Sequence, residues 1–246
     1  MKILVPISIV PDTTSKVAFT DGDTKYDKNN VTFILNPTDE WYALVRAVEL
    51  VEANGGSVTV INVGEAANDQ FIRKALAIGA NNAVRIDAEA KDAFFVASQI
   101  AEHAKTEAYD LVITGKETID YNGSQVGAML AEMLDLPYVA LVSKLEVAGT
   151  EATLEREIEG GVEVVAVNLP MVVGAEKGMG EQRIPNMRGI MQSRTKPLAV
   201  VPAVEVAEHV VVNKFELPAP KTGAKMIDAD NIEELVRLLH EEAKAI

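Results

Sequence analysis

The chain has no cysteine among its 246 residues. That excludes disulfides, thiolate metal ligands, Cys-held iron–sulfur clusters and a Cys nucleophile. Aromatics are scarce at 5% against 48% hydrophobic residues, so a core must come mainly from Val, Ile, Leu and Ala. Positive charge is also short: 23 Lys and Arg face 37 Asp and Glu, a formal net charge of −14. Such a balance is unsuited to nucleic acid, whose phosphates need cations, and to an anionic membrane surface. It suits solubility and basic partner surfaces. The three histidines, His103, His209 and His240, lack metal-ligand spacing, so no metal site is expected. No GxSxG elbow occurs. Gly115-Lys116-Glu117 lacks the Ser or Thr and the upstream Gly of a phosphate loop, and Gly174, Gly178 and Gly180 miss the GxGxxG spacing. The acids from Glu151 to Glu163 alternate along strands as a solvated face, and no catalytic set is expected. The opening MKILVPISIV reads as a strand, too short to cross a membrane and without a small-residue cleavage site. No targeting segment, no membrane insertion and a cytoplasmic location are expected.

What is present is an alternation of strands and helices. The length allows one large domain, or one with an appendage. Ile3 to Ile9 reads as a strand, and Asp12 to Asn30 as a polar excursion or short hairpin. Asn36-Pro37-Thr38-Asp39-Glu40 starts a helix running to about Ala53, with Thr38 or Asp39 as cap and Asn54-Gly55-Gly56 as its end. Strands follow at Ser57–Val63, Ala83–Ile86 and Tyr109–Thr114, with helices at Asn68–Ile78, Ala93–Thr106 and Gly123–Leu134. This rhythm predicts an α/β fold with a doubly wound, mostly parallel sheet and helices on both faces. Beyond Pro137 the pattern becomes a β meander, at about 142–174, with turns at Gly149-Thr150 and Gly160-Gly161. Pro185 to Arg194 is a loop or short helix. From Ala203 to Lys225 the chain is extended, and Asp230 caps a last helix with Glu233 at the capping-box position. The expected organisation is an α/β domain over 1–200 and a C-terminal arm with its helix over 201–246. That arm either folds back on its own domain or wraps a partner.

The most informative stretch is DLVITGKETIDYNGSQVGAMLAEML, from Asp110 to Leu134. A strand feeds a polar loop that enters an amphipathic helix. A helix N-terminus offers free N–H groups and positive potential to a phosphate. Gly123 lets a ligand come close, Lys116 offers a charge to an anion, and Asp120 can accept from a ribose. The competing reading is an ordinary, well-capped connection. Elsewhere, the first strand ends at Pro6-Ile7-Ser8, the second at Val63-Gly64 and the fourth at Gly115, while Asn36 to Asp39 is rigid and polar. In a doubly wound sheet these lie along one edge, where an adenosine-type ligand would sit.

Several pieces occur together in one order: Asn36-Pro37-Thr38-Asp39-Glu40, Lys74-Ala75-Leu76-Ala77-Ile78-Gly79-Ala80, Gly115-Lys116-x-x-Ile119-Asp120 and Gln125-x-Gly127. They continue with Glu155-Arg156-Glu157-Ile158-Glu159-Gly160-Gly161-x-Glu163, then Leu169-Pro170-x-Val172-Val173 and the segment to Pro197. The ordered set resembles the beta subunit of electron-transfer flavoproteins. The resemblance implies a Rossmann-like, adenine-nucleotide-binding fold and a soluble electron carrier of two different subunits. The alpha subunit would hold most of the redox FAD, and this subunit a structural AMP. By position, the AMP pocket would involve Pro6, Asn36, Pro37, Thr38, Asp39, Val63, Gly115, Lys116, Glu117, Thr118, Ile119, Asp120, Tyr121, Asn122, Gly123, Ser124, Gln125 and Val126. Glu157 would lie near the flavin and the subunit interface. Met187, Arg188 and Ile190 would belong to a loop that docks partner dehydrogenases, and the arm would embrace the alpha subunit. Electrons would pass from acyl-CoA or other flavoprotein dehydrogenases, as in fatty acid beta-oxidation, to a quinone reductase or similar acceptor.

The chain departs from the family at three points. Thr13 follows Asp12 where members often carry an aromatic. Asn186-Met187-Arg188-Gly189-Ile190-Met191 replaces the usual Leu-Pro-Asn-Ile-Met. Electron-bifurcating members, which hold a second FAD in place of AMP and take electrons from NADH, typically read Asp-Gly-Asp-Thr-Ala-Gln in the nucleotide loop. Here the loop is Asp120-Tyr121-Asn122-Gly123-Ser124-Gln125, which favours AMP, although Gln125-Val126-Gly127 is shared with the bifurcating type. Glu155 to Gly161 leans to the non-bifurcating type. A stand-alone nucleotide-binding module of the universal-stress type is the third reading; the meander and long arm argue against it, since such modules are shorter.

Overall fold

A computed structural model describes residues 1–220 and 223–246. The first strand β1 (Lys2–Pro6) leads into an excursion made of β2 (Ile9–Pro11), β3 (Phe19–Thr20), β4 (Lys25–Tyr26) and β5 (Phe33–Leu35). Then come α1 (Asp39–Asn54), β6 (Ser57–Val63), α2 (Asp69–Ile78), β7 (Asn82–Asp87), α3 (Ala93–Lys105), β8 (Leu111–Gly115) and α4 (Val126–Leu134). The meander is β9 (Tyr138–Ala148), β10 (Glu151–Ile158) and β11 (Gly161–Asn168). It is followed by β12 (Met171–Ala175), α5 (Met187–Ser193), β13 (Leu198–Pro202) and α6 (Ile232–Glu241).

Nine strands form one sheet in the order β11-β10-β9-β12-β8-β1-β6-β7-β13. From β9 to β13 every neighbouring pair is parallel. The central strands are apolar runs buried along nearly their whole length, as a sheet covered on both faces requires. One core cluster lies under α1 and α2, joining Ile3, Val5, Leu44, Val48, Ile72 and Leu76. The other lies under α3 and α4, joining Leu4, Ile61, Ile86, Ile100, Val112 and Leu130. Successive residues of β1 point to opposite faces, so both layers are written in one strand. The expected doubly wound α/β sheet is therefore the observed fold.

The acids Asp39 and Glu40 occupy the first turn of α1, where the helix field favours negative charge. The helix ends at Gly55, whose φ of 74° suits a residue without a side chain. Helix α4 begins at Val126, three residues later than Gly123. The cause is local: Asn122 and Ser124 sit at φ 49° and 50°, in the left-handed region, so the chain cannot be helical there. The strand expected over Ile3–Ile9 breaks after Pro6. β2 leaves the sheet and pairs antiparallel with β5, and β3 pairs with β4 as the expected hairpin. Strand β9 starts at Tyr138, pairs with β12, then bends near Leu141 (φ 58°) and pairs antiparallel with β10. Arg46 of α1 donates from Nε to the Leu145 carbonyl at 3.0 Å, fixing the second half of β9 against that helix.

Strand β13 is an addition to the sequence reading. Leu198 to Val201 is a short apolar run between two prolines, and it joins the sheet edge beside β7. The last helix is capped by Asn231, whose side chain accepts from the Glu234 amide at 3.3 Å; the expected cap Asp230 instead donates its own amide to Asp228.

Candidate functional site

The winding of the sheet reverses beside β1. The chain steps from β1 to β6 and β7 on one side, and then returns to place β8 and β12 on the other. The crevice outside the carboxyl ends of β1 and β8 is where open α/β sheets bind ligands. Pro6-Ile7-Ser8, Gly115-Lys116-Glu117 and the start of α1 meet there.

Glu40 is the hub of that meeting. It is 6% exposed, and its carboxylate accepts from the Ser8 amide and the Ser8 hydroxyl, both at 2.7 Å. Burial pushes the Glu40 carboxyl up to about 7, while the Ser8 hydrogen bonds pull the other way. Gly115 packs directly over it: a Cβ there would stand 2.7 Å from both the Glu40 nitrogen and its Cγ. Only glycine lets β8 end so close to the first turn of α1.

Asn36 is fully buried and bridges the wall to the loop. Its Nδ2 donates to the Glu117 carbonyl at 3.2 Å and its Oδ1 accepts from the Ile119 amide at 3.4 Å. Its own amide donates to the Ser8 carbonyl at 2.9 Å. The loop 116–125 is also closed internally: the Glu117 carboxylate accepts from Asn122 Nδ2 at 3.1 Å and Ser124 Oγ at 2.9 Å, which lowers its pKa. Asp120, Tyr121, Asn122, Gly123, Ser124 and Gln125 are exposed, Tyr121 at 69%. The free N–H groups of α4 therefore follow the loop at Val126, Gly127 and Ala128. A Cβ at Gly123 would meet nothing within 4 Å, so the space in front of that residue is open.

The charges are arranged differently from the sequence expectation. The Lys116 ammonium is paired with Glu176 at 2.9 Å and lies 3.9 Å from Glu117. Asp39 is 6% exposed; burial raises its carboxyl, and Lys116 partly offsets that. Lys116 is thus a counter-ion to the protein's own acids. Val63 is buried in the α3-side core, and the next residue, Gly64, donates its amide to the Ile86 carbonyl and accepts from Arg85. Thr38 stands at the N-cap of α1 without a side-chain cap bond, and Pro37 and Thr118 are half-buried. Ser8, named only as the end of the first strand, and Glu40 and Glu176, which the expected pocket did not include, are part of this arrangement. Glu40 was visible only as one more acid in a first helical turn, and nothing in the sequence links Glu176 to Lys116.

A family model described as the electron transfer flavoprotein domain matches residues 23–206. A Bacillus subtilis protein described as electron transfer flavoprotein subunit beta is 34% identical over 100% of both chains. The chain belongs to the electron transfer flavoprotein beta-subunit family. A Syntrophomonas wolfei beta subunit is 34% identical over 94% of this chain and 92% of its own. A Bradyrhizobium diazoefficiens one is 33% identical over 99% of each.

Two expected elements of this beta-subunit family member lie apart from the crevice. The turn Gly149-Thr150 lies beside Met1 and Asn54, at the amino ends of the parallel strands. Strand β10 runs away from that turn and carries the exposed Glu157 near its far end. Met187, Arg188 and Ile190 lie on α5, which packs on the last turns of α2. Gly189 fits against the Ala77 carbonyl, and Lys196 Nζ donates to the carbonyls of Leu76 at 2.8 Å and Ala80 at 2.6 Å. That is the amino end of β7 and β13, the end of the sheet opposite the crevice. Met187 is 74% exposed and Met191 68%, which makes a soft apolar knob there. Among the described residues no helix is long and apolar enough to cross a membrane.

Proposed function

We propose that the crevice binds AMP and that the chain works as the beta subunit of a heterodimer whose alpha subunit holds most of the FAD. The family supports the electron-carrier role. The observation that carries the nucleotide reading is the switch-point crevice itself, where the Asn36 wall, the 116–125 loop and the start of α4 converge. The flavin would supply the redox chemistry; this chain supplies binding and a polar wall. Asp39, Glu40, Glu117 and Glu176 surround the crevice, and Lys116 is already paired with Glu176. A ligand phosphate there must rely on backbone N–H groups at the loop and helix start. One phosphate suits such acidic surroundings better than the diphosphate of FAD. That favours a simple carrier between acyl-CoA or other flavoprotein dehydrogenases and a quinone reductase. In this reading Glu157 lies by the flavin, the α5 knob docks the dehydrogenases, the arm from 201 to 246 wraps the alpha subunit, and the location is cytoplasmic.

Gln125-Val126-Gly127 favours a second reading, an electron-bifurcating component with FAD in this crevice and NADH as donor. The test is to purify the chain with its alpha subunit, denature the complex and identify the released nucleotides by mass spectrometry. One FAD and one AMP are expected per heterodimer. Two FAD without AMP would replace the carrier reading with the bifurcating one.

A further inference from the structure

The excursion between β1 and α1 has its two roots in the crevice wall. It leaves at Ser8 and rejoins at Asn36, and Asn36 donates its amide to the Ser8 carbonyl. β2 and β5 extend this pairing outward, from Ile9 opposite Leu35 to Pro11 opposite Phe33. The Asp12 amide continues it with a bond to the Thr32 carbonyl. At the outer end stands the small β3–β4 hairpin, which adds only two residues per strand and belongs to neither core cluster.

The arm meets this hairpin. After β13 it is pinned on α3: Gln99 donates to the Val204 carbonyl and accepts from its amide, both at 2.8 Å. Asp92, the N-cap of α3, accepts from the His209 and Val210 amides at 2.7 and 2.9 Å, and His209 stands edge-on to Phe94. The arm then crosses to the excursion. Phe215 stacks on Phe19 with centroids 5.0 Å apart and planes 11° apart, and its amide donates to the Asp23 carbonyl at 2.7 Å. From 211 to 220 every residue except Phe215 is exposed. An aromatic stacked in the middle of an exposed arm marks an anchoring point.

We propose that Phe19 and Phe215 form a clasp that positions the crevice wall. With the arm seated, the hairpin is held, the β2–β5 ribbon is held with it, and Ser8 and Asn36 keep their places. This rests on the reading of the crevice as the nucleotide site. The consequence is reciprocal coupling: a seated arm retains nucleotide, and bound nucleotide favours a seated arm. The arm continues past this contact as residues 216–220 and 223–246, so partner engagement there acts on the crevice through this contact.

The test uses the complex with the alpha subunit and four forms: wild type, Phe215→Ala, Phe19→Ala and the double variant, with Phe215→Tyr as the conservative control. Amide hydrogen exchange of the segments 8–12 and 32–36 is measured together with the rate of AMP release. Both alanine variants are expected to speed exchange in both segments and AMP release several-fold. The double variant should be no worse than either single one, because one contact is removed in each case, and the tyrosine should behave as wild type. Trypsin cleavage after Lys214 should accelerate in the alanine variants as the arm lifts. Faster cleavage with unchanged exchange in 8–12 and 32–36 would overturn the proposal, since the contact would then hold the arm alone. A wild-type complex that releases no AMP would overturn the nucleotide reading instead, and the exchange data would still decide the clasp.

Discussion

Replacing Glu40 with Gln should make the protein more stable above neutral pH, although Glu40 sits in a hydrogen-bonded site. Burial raises its carboxyl from 4.5 to about 7. Between those values the unfolded chain releases the proton and the folded chain keeps it. The stability present below the unfolded pKa is therefore lost as pH rises through about 7. A shift of that size corresponds to about 3 kcal/mol at its full extent. Glutamine is nearly isosteric and cannot ionise. Its oxygen can accept from the Ser8 amide, and its NH2 can donate to the Ser8 hydroxyl once that hydroxyl reverses role. Weaker neutral hydrogen bonds offset part of the gain. Glu40→Gln should thus exceed wild type by up to about 3 kcal/mol at pH 8, narrowing to roughly 1 kcal/mol at pH 5. For a chain of this length that is roughly 6–12 °C in melting temperature at pH 8. Thermal unfolding of both forms in the complex, with the alpha subunit unchanged, reads the difference. A variant that is less stable than wild type by the same amount at every pH would refute the reasoning. Glu40 would then act as a needed acceptor and not as a buried acid held against its ionisation.

Three further outcomes are expected. Gly115→Ala places a methyl 2.7 Å from the Glu40 backbone and side chain, so it should cost about 1–3 kcal/mol in urea unfolding; an unchanged midpoint would show that β8 and α1 separate freely. Gly123→Glu points into open space, so the fold should survive while a carboxylate joins Glu117 and Asp120 at the loop; AMP released on denaturation should fall to nothing, and full retention would place the phosphate elsewhere. The isolated chain exposes Val210, Val211, Val212 and Leu217 on the arm and Ile232, Leu235 and Val236 on α6, so light scattering should show self-association without the alpha subunit; a monodisperse monomer would count against the arm as a partner-binding element.

The legibility of the fold differed from element to element. Ser57–Val63 reads as a strand with its observed bounds because seven residues of β-forming character stand between Gly56 and Gly64. The helix from Asp39 is legible because acids open it and Gly55 closes it. Local chemistry misplaced the start of α4, since the left-handed backbone at Asn122 and Ser124 depends on the ties from Glu117. It also missed β13, whose four apolar residues gain a strand partner only when β7 is already in place.

The sequence by itself determined the alternation of strands and helices, the two-faced core written into β1, the lack of thiol chemistry and the ordered motifs that mark the family. These follow from periodicity, composition and residue order, which act over short stretches of chain. Tertiary structure alone decided that Ser8 and Glu40 share hydrogen bonds, that Lys116 pairs with Glu176, that α5 sits at the end of the sheet opposite the crevice, and that Phe215 returns to Phe19. Each of these joins residues far apart in the chain. Desolvation and ion pairing depend on distance in space, and the winding of the sheet sets that distance.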